Sequence, residues 1–131
     1  MKLTIPFYLH KVGAGFPSPA TDYIEDDLDL NTYLITNALA TFIIRVQGKS
    51  MQEAGIYDGD LLIVDKSINP KNFSIVIANV NEELVVKTLI KEKEINYLTS
   101  GSKNIIDKIN LSKNPEVIIW GVVTYVIHKL Q

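Results

Sequence analysis

From residue 40 to residue 127 the chain is a succession of short, β-branched, apolar runs, each closed by a turn signal. That pattern restricts it to a mainly β domain with a curled, barrel-like sheet. Residues 40–46 are β-rich and stop at Gly48, and residues 61–64 follow the Asp58-Gly59 turn signal. Residues 74–80 and 84–90 read as two arms of a hairpin across Asn81, Glu82 and Glu83. Residues 95–98 form a short strand, 100–104 a loop, and 117–127 a long strand bent at Gly121.

Ahead of this block the signals differ. Residues 12–20 are rich in Gly and Pro without a period, and residues 25–29 are acidic. Residues 1–28 are therefore expected to be a flexible, irregular arm and residues 29–131 the folded domain. At the junction Asp29 is placed to cap a short helix with Leu30, Tyr33 and Leu34 on one face.

A chain of 131 residues is long enough to bury one real core. Its formal net charge of -2 gives no sign of a surface built to coat phosphate backbones, so sequence-specific DNA binding is not expected. Cysteine is absent, which removes disulfides, thiolate metal sites and cysteine nucleophiles together and fits a cytoplasmic protein. No metal or cofactor is expected. The apolar part of the first eleven residues is short, contains Pro6 and ends in His10-Lys11, a poor match to an export signal. The apolar run 117–127 is shorter than the ~20 residues a membrane helix needs.

Two residues break the pattern in ways that suggest chemistry. Ser50 sits in Gly48-Lys49-Ser50-Met51, a tight bend just after an apolar strand, and Lys87 interrupts the strand run 83–90. Each has an ordinary explanation: serines are common in Gly-flanked turns, and a lone strand lysine usually guards an edge. Together they can form a serine–lysine dyad, in which an amine takes the hydroxyl proton. The other serine signatures are missing. The only histidines, His10 and His128, lie at opposite ends; the nucleophile-elbow glycine after Ser50 is absent; and no lysine follows three residues later.

A lysine base must be neutral, and an ordinary lysine with a pKa near ~10.4 is neutral in roughly one copy in a thousand at physiological pH. Burial in apolar surroundings is the device that suppresses the charge. Lys87 is the lysine flanked on both sides by an apolar strand, with Val85 and Leu89 sharing its face. Lys49 lies next to Ser50 but in a turn beside solvent.

Gly48-Lys49-Ser50-Met51, then residues 58–65, then Val85-Val86-Lys87-Thr88-Leu89, resemble the self-cleaving serine peptidase domain of the LexA/UmuD family. The 37-position interval between Ser50 and Lys87 fits that domain, as do residues 15–23, 28–31 and Trp120-Gly121-Val122-Val123. The resemblance spans residues 13–128 and is strongest to the UmuD branch. It implies a LexA-type fold and an SOS-response protein that cuts its own chain when a RecA filament on single-stranded DNA stimulates it. The implied bond is Ala14-Gly15, with Ser50 as nucleophile, Lys87 as general base and the backbone N–H groups of Ser50 and Lys49 stabilising the oxyanion. The implied product is a homodimer that serves a UmuC-type, Y-family translesion polymerase as accessory subunit. One departure is Lys49, where family members carry an acid. Only 49 residues precede Ser50, which argues against a helix-turn-helix repressor. Two other readings stay open at this level: a signal peptidase-like serine–lysine protease, and a non-catalytic β interaction module.

Overall fold

The structure, a computed structural model, describes residues 5–8, 13–15, 25–101 and 108–131. The chain divides into two compact units, residues 1–36 and 37–131. The arm positions 16–24 and the loop positions 102–104 considered above lie outside the described residues.

In the first unit the expected irregular arm contains one ordered piece. Strand β1 (Ile5–Tyr8) pairs antiparallel with β2 (Glu25–Leu28), with Ile5 opposite Leu28 and Tyr8 opposite Glu25. Nothing local announces this pair, because its partners are separated by a Gly/Pro-rich stretch. Helix α1 (Leu30–Leu34) follows, and Asp29 caps it as expected. Its carboxylate accepts from the Asn31 N–H at 3.1 Å and from the Thr32 hydroxyl at 2.9 Å. The helix ends when Ile35 returns to extended backbone.

The second unit carries β3 (Thr41–Arg45), β4 (Leu61–Asp65), β5 (Ile75–Val80), β6 (Glu83–Glu92), β7 (Ile95–Thr99), β8 (Ile109–Asn110) and β9 (Ile118–Ile127). They form one seven-stranded sheet in the order β3-β4-β9-β5-β6-β7-β8, with every pairing antiparallel. The β5–β6 hairpin closes through Asn81 and Glu82 alone, both in the left-handed region at φ 52° and 66°. A two-residue turn of that hand matches the twist of the flanking strands. The β6–β7 hairpin turns at Lys93, φ 58°, with Glu92 opposite Ile95.

Strand alternation distributes the core over both faces of the sheet. Ile77 joins Val46, Met51, Ile56, Leu62 and Val64 in one cluster, with Phe42, Ile44 and Val86 packed against it. Its neighbours Val76 and Ala78 join Leu89, Leu98 and Val122 in a second cluster. Strand β5 is thus buried on two sides, which explains its apolar run from Ile75 to Ala78. Each fully buried Val, Leu or Ile contributes roughly 1.5–3 kcal/mol.

The last strand is drawn into the middle of the sheet, between β4 and β5. Its register slips on both sides: Gly121 pairs with Ile77 but Ile119 with Ala78, and Tyr125 pairs with Ile63 but Val123 with Val64. Gly121, where a bend was expected, adjoins the first slip. A Cβ there would stand 2.8 Å from Val64 Cγ1 and 3.2 Å from the Asp65 carbonyl oxygen. The Asp65 backbone belongs to the central sheet and has little room to yield. Gly121→Ala is expected to destabilise the protein by about 1–3 kcal/mol through overpacking; an unchanged urea midpoint would contradict this.

Candidate active site

Strand β3 ends at Arg45, and the chain after it is fastened before it reaches Ser50. The Val46 N–H donates to the Asp60 carbonyl and the Gly59 N–H donates to the Val46 carbonyl, both at 2.8 Å. Gly48 then takes φ 106°, a conformation open to glycine and costly for other residues. Its N–H donates to Asp58 Oδ1 at 2.7 Å. Past the bend Met51 is buried at 2% exposure, and a 3₁₀ turn (Gln52–Ala54) closes on Gly55 at φ 82°. Ser50 is therefore an exposed residue held between two anchors, Gly48 on Asp58 and Met51 in the core. Lys49 is exposed beside it. The N–H groups of Lys49 and Ser50 are not taken by any hydrogen bond among the described residues.

Lys87 stands on β6 where the strand passes this bend. Ser50 and Lys87 line the same cleft, about 390 Å³ in volume, whose walls include Ile44, Val46, Met51 and Ile77. The cleft leaves Lys87 half-buried rather than sealed in apolar packing. Its Nζ donates to Ser100 Oγ at 2.9 Å. Ala14 and Gly15 belong to the other unit, and both are exposed.

Ser100 is the site residue that sequence reasoning passed over as part of a loop. It is 4% exposed. The signal was available in the hairpin register: Glu92 faces Ile95 and Thr88 faces Thr99, so one further step puts residue 100 opposite residue 87. The same turn is tied down by two more bonds. The Thr88 hydroxyl donates to the Gly101 carbonyl at 2.6 Å, and the Gly101 N–H donates to Met51 Sδ at 3.0 Å.

The Peptidase S24-like family model matches residues 6–124. This chain belongs to that family. It is 41% identical over 130 residues to Protein ImpA of Escherichia coli, covering 95% of this chain and 83% of that protein. It is 43% identical over 127 residues to Protein SamA of Salmonella typhimurium, covering 96% and 86%. It is 40% identical over 84 residues to the LexA repressor of Clostridium acetobutylicum, covering 64% of this chain and 41% of the repressor.

In this S24-like peptidase the two histidines do not build a triad with Ser50. His10 lies outside the described residues, and His128 pairs with Asp60, its Nδ1 2.5 Å from Asp60 Oδ1. Asp60 is buried at 3% exposure, also accepts the Tyr57 N–H at 2.8 Å, and sits where the Tyr57 and His128 rings meet at 5.3 Å. These contacts fasten the end of β9 to the turn that carries Asp58, and through Asp58 to the bend at Gly48. Among the described residues no group of three or more His, Asp or Glu side chains is arranged to hold a metal ion. No helix among them is long and apolar enough to cross a membrane.

Burial pushes the Asp60 carboxyl up, but the hydrogen bonds from His128 and the Tyr57 N–H, with the His128 charge, outweigh it. The carboxyl lies below its ordinary value of 3.8. A carboxylate depressed in the folded state stabilises the fold at pH above its unfolded value, and that contribution is lost as pH falls through the folded value. Asp60→Asn should therefore lower the urea midpoint at neutral pH, and the gap to the parent should close as the pH is taken below about 4. A gap that stays constant into acid would show that the carboxylate charge is not what matters.

Proposed function

We propose that this chain is an SOS-response serine peptidase that cuts its own Ala14-Gly15 bond. The observation that carries the reading is that Ser50 and Lys87, 37 positions apart in sequence, open onto one cleft in a chain of the S24-like family. Ser50 Oγ attacks the Ala14 carbonyl carbon while neutral Lys87 Nζ takes the hydroxyl proton. The tetrahedral oxyanion is met by the backbone N–H groups of Ser50 and Lys49, which are otherwise unengaged among the described residues. Lys87 then gives its proton to the departing Gly15 nitrogen, the peptide bond breaks, and an ester joins Ser50 to Ala14. Water, deprotonated by Lys87, hydrolyses that ester and frees the enzyme.

A substrate carried on the same chain explains an open cleft without a deep specificity pocket. Tethering supplies the effective concentration that a separate substrate would have to reach by binding. Gly13, Ala14 and Gly15 are small, so an extended strand bearing them can lie close to Ser50. The trigger is a RecA filament on single-stranded DNA, which favours the cleavage-competent arrangement of arm or lysine. The product, residues 15–131, is a homodimer that acts in the cytoplasm as accessory subunit of a UmuC-type translesion polymerase. The kinship with a LexA repressor supports the SOS assignment. The net charge of -2 fits a role through protein partners rather than direct reading of DNA.

Incubation with RecA, ATP and single-stranded DNA should remove residues 1–14, seen by mass spectrometry as one new N-terminus at Gly15. Ser50→Ala and Lys87→Ala should stay folded and slow the cut by at least about a thousandfold. Lys49→Ala should still be processed. If Lys49→Ala alone abolishes the cut, the base is misassigned; if the parent chain stays intact, the peptidase reading fails.

A further inference from the structure

We infer that Ser100 is a positioning residue for the peptidase, holding the amine of Lys87 at the distance and angle the reaction needs. The inference rests on the proposed Ser50–Lys87 mechanism and extends it to a residue on a different hairpin arm.

Three observations converge on this turn. Lys87 Nζ donates at 2.9 Å to Ser100 Oγ, and Ser100 is 4% exposed. The next residue, Gly101, donates its N–H to Met51 Sδ at 3.0 Å, and Met51 follows the nucleophile directly. The Gly101 carbonyl accepts the Thr88 hydroxyl at 2.6 Å, and Thr88 follows the base directly. The 100–101 turn therefore grips the neighbour of Ser50, the neighbour of Lys87, and the reacting amine itself. Gly101 takes φ 71°, a left-handed conformation that glycine adopts without steric cost.

The physical need is clear from the side chain. A lysine amine ends a flexible four-carbon stem and can point in many directions. As a base it must present one lone pair to the serine hydroxyl, and its N–H groups must be placed elsewhere. Ser100 Oγ accepts one N–H and fixes the torsion about the last carbon–nitrogen bond. With one N–H held in this way, the amine belongs to the cleft that Ser50 also lines. Losing that acceptor removes one constraint on where the amine points.

The test is self-cleavage of the full chain, followed as a first-order rate from neutral to strongly alkaline pH, with and without the RecA filament. Removing an orienting acceptor is expected to slow Ser100→Ala about ten- to a hundredfold. The deficit should persist at the alkaline plateau, because raising the pH supplies neutral amine but cannot aim it. Ser100→Thr, which keeps the hydroxyl, should recover the rate to within about threefold of the parent. If Ser100→Ala does not fold, Ser100→Cys, nearly the same size and a weak acceptor, takes its place with the same expected deficit.

A folded Ser100→Ala that cuts at the parental rate or faster overturns the inference. So does a deficit that vanishes at high pH, or a folded Ser100→Thr as slow as the alanine variant. Failure of the parent chain to cut under any of these conditions would instead remove the peptidase reading itself, and this inference with it.

Discussion

The burial of Met51 is the contact on which the geometry of the site depends. Its side chain sits in the cluster formed with Val46, Ile56, Leu62, Val64 and Ile77, while the residue before it is exposed. A backbone that changes from exposed to buried within one residue is fixed in direction, and that direction points Ser50 into the cleft. The thioether also accepts the Gly101 N–H, so the core contact becomes a link to the hairpin carrying Lys87. Methionine suits both tasks, being apolar enough for a core and still a weak acceptor.

Around that contact the sheet works as a frame that positions Ser50 and Lys87 from distant places in its strand order. Ser50 follows β3, an edge strand; Lys87 lies on β6; and β4, β9 and β5 separate them in the sheet order. The core cluster spans this separation, since Phe42 and Ile44 of β3 and Val86 of β6 pack against the same buried residues. The Asp58 and Asp60 carboxylates hold the segment from the other side, one on the Gly48 N–H and one on His128 of the final strand. A self-cutting enzyme has little use for a deep substrate pocket, because its substrate is covalently attached. What the fold does hold in place is the bend that carries Ser50 and the strand that carries Lys87, on one shared cleft.

Much of this was legible before any coordinates. The β5–β6 hairpin, the Asp29 helix cap, the bend at Gly48 and the special role of Gly121 are all set by side chains a few positions apart, and each stands where it was expected. The unusual placements of Ser50 and Lys87 were equally local, a serine in a bend and a charge in an apolar run. The full enclosure expected for Lys87 was not found, because a cleft's openness is decided by walls that come from several strands.

The amino-acid order alone determined the main strands from residue 41 on, their turns, the mainly β class and the two side chains that stand out as candidates for chemistry, since these follow from period, turn chemistry and residue type within short windows. Only the tertiary structure decided that the last strand lies in the centre of the sheet, that β1 finds β2, that His128 caps Asp60, and that Ser100 receives the amine of Lys87. Those pairings join residues from 13 to 68 positions apart. They form because buried polar groups must find partners and apolar faces must find cover, and which partner is within reach is known only once the whole sheet has closed around its core.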